Sequence, residues 1–413
     1  MMKKTLLFVF ILLTSISNSF AQISWNHTDA PELQNDWSCI AYGNGTFVTL
    51  AKSLGTNRIA TSPDGTTWTG RPAPANNSWQ GITFGNGKFV AVAGSGSQKV
   101  MTSSDGIEWT LQTAPNGNWS SVAYGNNVFV AVAPSVALNQ VMTSPDGITW
   151  TSQTPAGTGT NLWSDISFGN GMFVALAQAG STNQLMTSPD GINWSIQTIP
   201  SQNYQNWLAS TYGNGVFVAI SQNYVANVRR STDGINWVSD SVSPVFGAGV
   251  LDIAFGNGYF IAVGNSGTTQ GVWVSSDGNN WAFQATPVIN GQQPYQFSAI
   301  AFGDGYFAGV SINGGGSPDY TKKILVSNKT VGITPLSDNT IAVNVFPNPF
   351  TEVLNINSSE KGAFTLNDMN GKLVAHGSID PGLSAIKVSQ MACGVYNLSI
   401  LVNGGQKTVK VVK

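Results

Sequence analysis

Glycoside hydrolysis needs two carboxylates at a set separation, one to protonate the leaving group and one to activate water or attack. Asp165 and Asp252 are the pair best placed for that work, because both fall on strand-like runs that recur at one place in a repeat. The other aspartates outside the repeat turns are Asp29, Asp36, Asp240 and Asp319, with Asp304 in a turn, and Glu32 and Glu108 are the only glutamates before the linker. The same two positions also read simply as polar groups lining a channel. No His/Cys/Asp cluster has metal-ligand spacing, no nucleophile has a base at hand, and the glycines belong to turns and form no phosphate loop. The sequence therefore calls for no metal and no cofactor.

Those residues sit within a repeated frame. Ser144-Pro145-Asp146-Gly147-Ile148-Thr149-Trp150 is one of six copies of S-x-D-G-x-x-W, ending at Trp68, Trp109, Trp150, Trp194, Trp237 and Trp281. An aromatic followed by Gly-Asn-Gly or a near copy begins at Tyr42, Phe84, Tyr124, Phe168, Tyr212, Phe255 and Phe302, in steps of 42, 40, 44, 44, 43 and 47 residues. A period of this length filled with short β-like runs predicts an all-β chain, a β-propeller with one four-stranded blade per repeat. In the fourth repeat Trp163–Phe168 is the first strand, Gly169-Asn170-Gly171 the turn, Met172–Ala177 the apolar second strand and Gln184–Ser188 the third. Pro189-Asp190-Gly191 turns the chain again, and Ile192-Asn193-Trp194 is expected to start the fourth strand. In each copy the aspartate (Asp64, Asp105, Asp146, Asp190, Asp233, Asp277) is placed to accept backbone N–H bonds, and the glycine to take positive φ. The seventh repeat has Lys329 at the aspartate position and no Trp. Ile23-Ser24-Trp25 matches Ile192-Asn193-Trp194, so the N-terminal strand is expected to complete the last of seven blades and remove the exposed edges.

The S-x-D-G-x-x-W element resembles the Asp-box (BNR) repeat of sialidase-type propellers, with one spacer residue fewer between Asp and Gly. That resemblance implies a sialidase-like site: three arginines for a carboxylate, an acid/base Asp and a Tyr–Glu nucleophile pair. Only Arg58, Arg71, Arg229 and Arg230 are present, the last two adjacent, and no Arg-Ile-Pro motif stands near the N-terminus. The chain also resembles assembly-factor propellers with Asp-box-like repeats, which would be expected to carry an arginine-rich patch that is missing here. The expectation is a non-catalytic recognition module, with a sialidase-like glycoside hydrolase using channel carboxylates as the alternative.

For recognition the candidates are Trp37, Trp79, Trp119, Trp163 and Trp207, at the start of five first strands, where aromatic faces could stack on sugars if exposed. With them come polar residues at the ends of the loops between strands two and three, Arg58, Gln140, Gln184 and Gln270. The bland reading of the Trp ring is packing between blades. Gly-Asn-Gly turns and S-x-D-G turns are expected to share one rim, leaving the variable loops on the other.

Charged residues are 9% of the chain against roughly 25% in ordinary soluble proteins. With a formal net charge of −2 there is no basic footprint for nucleic acid or anionic membrane. Residues 1–21 read as a signal peptide: Met1-Met2-Lys3-Lys4 is basic, Thr5 to Leu13 is apolar but too short to span a bilayer, and Ser19-Phe20-Ala21 suits cleavage. The two cysteines, Cys39 and Cys393, fall in different expected domains and read as buried small hydrophobes, not as a disulfide.

The propeller is expected over 22–329 and a linker over 330–342. A second unit over 343–413 has short strand-like runs that suggest a small Ig-like β-sandwich. This unit resembles the C-terminal sorting domain (type A) of type IX secretion cargo. The matching residues are Phe346-Pro347-Asn348-Pro349, Asn370-Gly371-Lys372, Gly394-Val395-Tyr396 and the basic tail Lys407 to Lys413, including Lys410. The resemblance implies type IX machinery as a partner, export to the surface or medium of a Gram-negative bacterium, and removal of the tail near the linker. An extracellular glycan or surface protein is the expected ligand.

Overall fold

The computed structural model describes residues 23–31, 35–53, 57–134, 139–157, 161–178, 184–197, 206–221, 228–239, 249–264, 271–287, 296–312, 324–329, 344–346, 350, 352–368, 373–387, 391–392, 394–402 and 405–413. The chain divides into two compact units at Thr330/Val331. Among the described residues every regular element is a β-strand.

In the first unit the strands form seven four-stranded antiparallel sheets. Their first strands are Trp37–Gly43, Ser78–Gly85, Ser121–Gly125, Trp163–Gly169, Trp207–Gly213, Val250–Gly256 and Phe297–Gly303. Each first strand packs beside that of the next sheet, and Phe297–Gly303 packs beside Trp37–Gly43, giving a propeller-like ring. The seventh sheet takes its fourth strand from the other end of the chain, Trp25–Thr28 pairing antiparallel with Ile324–Ser327 from Trp25↔Ser327 to Thr28↔Ile324. The second strands are buried beyond their first residue, as in Met172–Ala177, where Phe173 to Ala177 have essentially no exposed surface. Both faces of each sheet are covered by neighbouring sheets, so the strands carry unbroken apolar runs in place of alternation.

The hairpin turns explain the Gly-Asn-Gly repeat residue by residue. Asn170 and Gly171 have φ of 46° and 75°, the two left-handed residues of a type I′ turn, and the other copies match. The glycine before them does something else. A Cβ on Gly169 would meet Tyr212 Cγ at 2.1 Å, one on Gly43 would meet Phe84 Cγ at 2.1 Å, and one on Gly303 would meet Tyr42 Cγ at 2.0 Å. At all seven copies the aromatic that opens the next repeat's turn lies flat on this glycine, and the cycle returns from Gly303 to Tyr42. Only a residue without Cβ permits that approach.

In six sheets the fourth strand begins directly after the tryptophan, at Ser195 in the fourth sheet, three residues beyond the expected start at Ile192, whereas the seventh sheet's begins at Trp25 itself. The reason is local: the N–H groups of Ile192 and Asn193 are bonded to Asp190 and cannot enter the ladder.

The second unit has a three-stranded sheet (Asn344–Phe346, Val353–Ser358, Gly382–Lys387) and a four-stranded one (Leu373–Ile379, Gly362–Asp368, Val395–Val402, Gly405–Val412). They share one core that includes Phe350, Leu354, Ile356, Leu366, Leu398, Ile400 and Val411.

Candidate functional site

The S-x-D-G-x-x-W turn is closed by its own side chains. In the third sheet Asp146 Oδ1 accepts the N–H of Ile148 and of Thr149 at 2.8 Å each, and Ser144 Oγ donates to the same oxygen at 3.0 Å. Ser144 Oγ accepts Gly147 N–H at 2.8 Å, and the Trp150 indole N–H donates to the Gly147 carbonyl at 2.9 Å. The same set recurs at Asp105, Asp190, Asp233 and Asp277, and at Asp64 with the Gly65 N–H bond left out. Burial pushes the Asp190 carboxyl up, but the donors around it prevail and hold it at about 2. The carboxylates of these aspartates bond within their own turns, so the motif is architecture. Asn126 Nδ2 donates to the Gly171 and Pro189 carbonyls of the following sheet, and Asn214 does likewise to Gly258 and Ser276. The two kinds of turn therefore do share one rim.

The five tryptophans are fully buried: Trp37, Trp79, Trp119, Trp163 and Trp207 have 0% exposure. This corrects the expectation of a stacking ring. Trp79 packs with Val48, Leu50 and Ile59 of the preceding sheet, and Trp207 packs with Val174, Leu176 and Leu185 in the same way. An indole wedged between two sheets presents no face to a sugar.

The polar candidates are corrected too. Arg58 Nη1 donates to the Asn77 carbonyl at 2.9 Å, Lys99 Nζ to Gly117 at 2.7 Å and Gln140 Nε2 to Asn161 at 2.6 Å. Each acceptor lies two residues before the next sheet's tryptophan, so the recurring polar residue latches one sheet's loop to the next. Gln184, also buried, donates to the Gln178 carbonyl at 2.9 Å. Gln270 lies outside the described residues.

Asp165 and Asp252 occupy equivalent positions, two residues after the residue that opens their first strand. A β-bulge just before each re-aims the chain there. Asp165 Oδ2 accepts the N–H and the Oγ–H of Ser210 in the next sheet, both at 2.8 Å, and its Oδ1 accepts Ser121 Oγ–H of the preceding sheet at 3.2 Å. Asp252 accepts its neighbour Ile253 N–H on Oδ1 and Ile300 N–H of the next sheet on Oδ2, both at 2.8 Å. Burial pushes Asp165 up to about 6. It pushes Asp252 up to about 7, aided by the negative charge of Asp165. Ser121 stands at the same strand position and accepts Ile166 N–H of the next sheet at 3.3 Å. Sequence reasoning passed over Ser121 and Ser210, although aligning the first strands on the aromatic of their turns (Tyr124, Phe168 and Phe255) puts Ser121 in register with both aspartates. Cys39 shares that register; it is buried, and desolvation raises its thiol to about 12, so it is an inert core group. Among the described residues no set of three His, Cys, Asp or Glu could hold a metal ion.

In the second unit, Gly394 exchanges both backbone bonds with Lys413, and Lys413 Nζ donates to the Met391 carbonyl at 2.6 Å. Tyr396 is buried and its hydroxyl donates to the Ala392 carbonyl at 2.7 Å. The last residue of the chain is thus tied to the G-x-Y element. Lys410 pairs through its backbone with Asn397. Pro347, Asn348, Pro349, Gly371, Lys372 and Cys393 lie outside the described residues.

Residues 344–413 match the family described as the secretion system C-terminal sorting domain. A domain of that family implies export by type IX secretion and makes that machinery a partner of the chain. No curated protein matches the chain. Among solved structures, YCF48 bound to D1 peptide is similar with a TM-score of 0.55 and 15% identity, over 75% of this chain and 97% of that one. YCF48 from Cyanidioschyzon merolae follows at 0.53 and 14%, over 74% and 98%. The extracellular domain of the putative hybrid two component system BT4673 from B. thetaiotaomicron reaches 0.51 at 9% identity, over 95% of this chain and 58% of that one. At such identities the likeness speaks to fold: the first unit is a β-propeller-like assembly. Among the described residues no helix is long and apolar enough to cross a membrane.

Proposed function

We propose that the chain is an exported seven-bladed propeller of Asp-box type that recognises a partner outside the cell. In this reading residues 1–21 are a signal peptide cleaved near Ala21, residues 22–329 the propeller, 330–342 a linker and 343–413 an Ig-like sorting sandwich. The product is anchored at the outer surface of a Gram-negative cell or released there. The observation that carries recognition is how the repeat uses its polar groups. The repeated tryptophans are spent on packing, the amides on backbone carbonyls and the turn aspartates on backbone N–H groups, which leaves ligand contacts to the residues that do not repeat. Those residues fall in the loops between strands two and three and between sheets. With the indoles buried, a protein or peptide partner is favoured over a glycan, and a propeller-like fold that binds a peptide, YCF48 with its D1 peptide, supports that choice.

The test is a display screen of peptides from secreted and surface proteins, run beside a glycan and polysaccharide array, with the purified full chain. Saturable peptide binding that is lost when residues 222–227 or 265–270 are exchanged for Gly-Ser supports the reading. Saturable binding to a polysaccharide alone would replace the protein partner by a glycan, and saturation on neither would sink recognition.

A second reading, a glycoside hydrolase, is favoured by one observation: two carboxylates raised to about 6 and about 7. Hydrolysis of any polysaccharide by the full chain, abolished in Asp165→Asn or Asp252→Asn, would establish it.

A further inference from the structure

Among the described residues of the first unit six large apolar side chains are exposed: Ile107, Ile148, Ile192, Ile235, Val238 and Phe283. The four isoleucines all stand directly after the glycine of S-x-D-G. They are between 38% and 50% exposed and belong to the second, third, fourth and fifth sheets, which pack in succession. The turn itself does not call for isoleucine. Thr66 in the first sheet and Asn279 in the sixth hold the same place, and their N–H groups bond the turn aspartate at 2.8 Å. Those of the isoleucines do so at 2.8 or 2.9 Å. Apolar side chains scattered over a surface need no explanation, but one at the same point of four successive sheets makes a row. Each of its turns is also fixed by a side chain of the preceding sheet. Asn44 donates to the Ser104 carbonyl at 3.3 Å, Lys88 to Asp146 at 2.9 Å, Asn126 to Pro189 at 2.7 Å and Asn170 to Thr232 at 3.1 Å. The row is acidic as well as apolar. Asp105, Glu108, Asp146, Asp190 and Asp233 lie in its turns, and the donors to the aspartates are backbone N–H groups, serines and asparagines. Neutral donors leave the negative charge in place. Against these five acids stands Lys88 at the third turn, while Arg230 lies beside Gly278 of the sixth turn, outside the row.

We propose that this row is a docking surface for a polypeptide segment that sets aliphatic side chains beside lysines or arginines, the isoleucines taking the former and the turn carboxylates the latter. Charge complementarity selects that occupant. A two-fold contact with a second copy would lay one acidic row against another. A phospholipid surface would bring phosphates to the same carboxylates, and isoleucine has no flat face on which a sugar ring could stack. The strands of each sheet are antiparallel, so this rim lies opposite the loops between strands two and three. The interface therefore goes beyond the recognition proposed above and does not depend on it.

The test compares the full chain with the quadruple variant Ile107→Thr/Ile148→Thr/Ile192→Thr/Ile235→Thr, which gives these four turns the residue that the first sheet carries. The probe is a fluorescein-labelled peptide of four Lys-Leu-Gly-Ser repeats, read by anisotropy. Four Lys-Asn-Gly-Ser repeats control for charge alone, and four Glu-Leu-Gly-Ser repeats reverse the charge. The wild type is expected to saturate with the Lys-Leu peptide, to hold it about tenfold or more tighter than either control, and to lose about tenfold or more in the variant. Exchange of residues 222–227 or 265–270 for Gly-Ser should leave this affinity within about twofold, which separates failure here from failure of recognition at the variable loops. No saturation, equal affinity for the three peptides, an unaffected variant, or loss on loop exchange overturns the proposal. So does a wild-type dimer in sedimentation that the variant abolishes, since a second copy would then cover the row. Should the quadruple variant fail to fold, Ile148→Thr/Ile192→Thr decides the matter: a loss of about fivefold supports docking, and unchanged affinity overturns it.

Discussion

Replacing Gly169 by alanine puts a methyl group where the Tyr212 ring already lies. The new Cβ would stand 2.1 Å from Tyr212 Cγ, 2.4 Å from its Cβ and 2.6 Å from Cδ1. Carbon atoms rest at about 3.5–4.0 Å, so the ring would have to retreat by roughly 1.5 Å. It has little room to do so, because it packs at 4.8 Å centroid distance on the fully buried Phe217, within a cluster that holds Trp207 and Trp237. Overpacking of this kind typically costs 1–3 kcal/mol, and the depth of the overlap puts Gly169→Ala at about 3 kcal/mol or more. Gly171, two residues on in the same turn, is the control. It has φ of +75° and nothing within 4 Å of an added Cβ, so Gly171→Ala should cost only the left-handed penalty of about 1–2 kcal/mol. Urea unfolding of the full chain, read by tryptophan fluorescence, measures both. Equal costs, or a larger cost at Gly171, would refute the reasoning. The same change at Gly303 tests closure, since its Cβ would meet Tyr42 Cγ at 2.0 Å across the junction of the chain's two ends. A Gly303→Ala protein as stable as the wild type would mean that this junction is open in solution.

Three further outcomes are expected. Trp150 is buried and bonded to the Gly147 carbonyl, so Trp150→Ala should cost about 3–5 kcal/mol by cavity formation, and an unchanged urea midpoint would contradict it. Asp190 is held down to about 2, so its contribution is present above pH 4 and lost as pH falls through 2; discounted for solvent screening, Asp190→Asn should lose about 1 kcal/mol at pH 7 and the difference should vanish near pH 2. A pH-independent difference would point to packing instead. Cys39 should not react with an aromatic disulfide reagent at pH 8 in folded Cys393→Ser protein and should react fully in denaturant, because its thiol is buried and raised to about 12. Rapid labelling of the folded protein would show that the first sheet opens readily.

Much of the architecture is legible in the residues themselves. Asn-Gly pairs set left-handed turns, Ser and Asp close the S-x-D-G bend, and apolar runs mark strands covered on both faces. The match of Ile23-Ser24-Trp25 to the later repeats anticipates the pairing of Trp25–Thr28 with Ile324–Ser327. The candidate site was far less legible. Trp37 and its counterparts have the spacing of a stacking platform, yet spacing along a chain says nothing of whether a neighbouring sheet covers the ring. Gln140 reads as a free amide until its acceptor, the Asn161 carbonyl 21 residues away, is known.

What the sequence determined by itself is the set of local events: which turns form, where strands start and stop, and which runs must be covered. Each depends on residues within a few positions of one another, and the 40–47-residue period repeats them. Only the tertiary structure decided what each sheet boundary does with its side chains. The first glycine of each Gly-Asn-Gly proved to be the seat of the next sheet's aromatic, and the tryptophans proved to be wedges. Asp165 and Asp252 proved to span sheet boundaries. Those outcomes rest on contacts between residues about one repeat apart, where burial and desolvation follow from how the sheets close on one another.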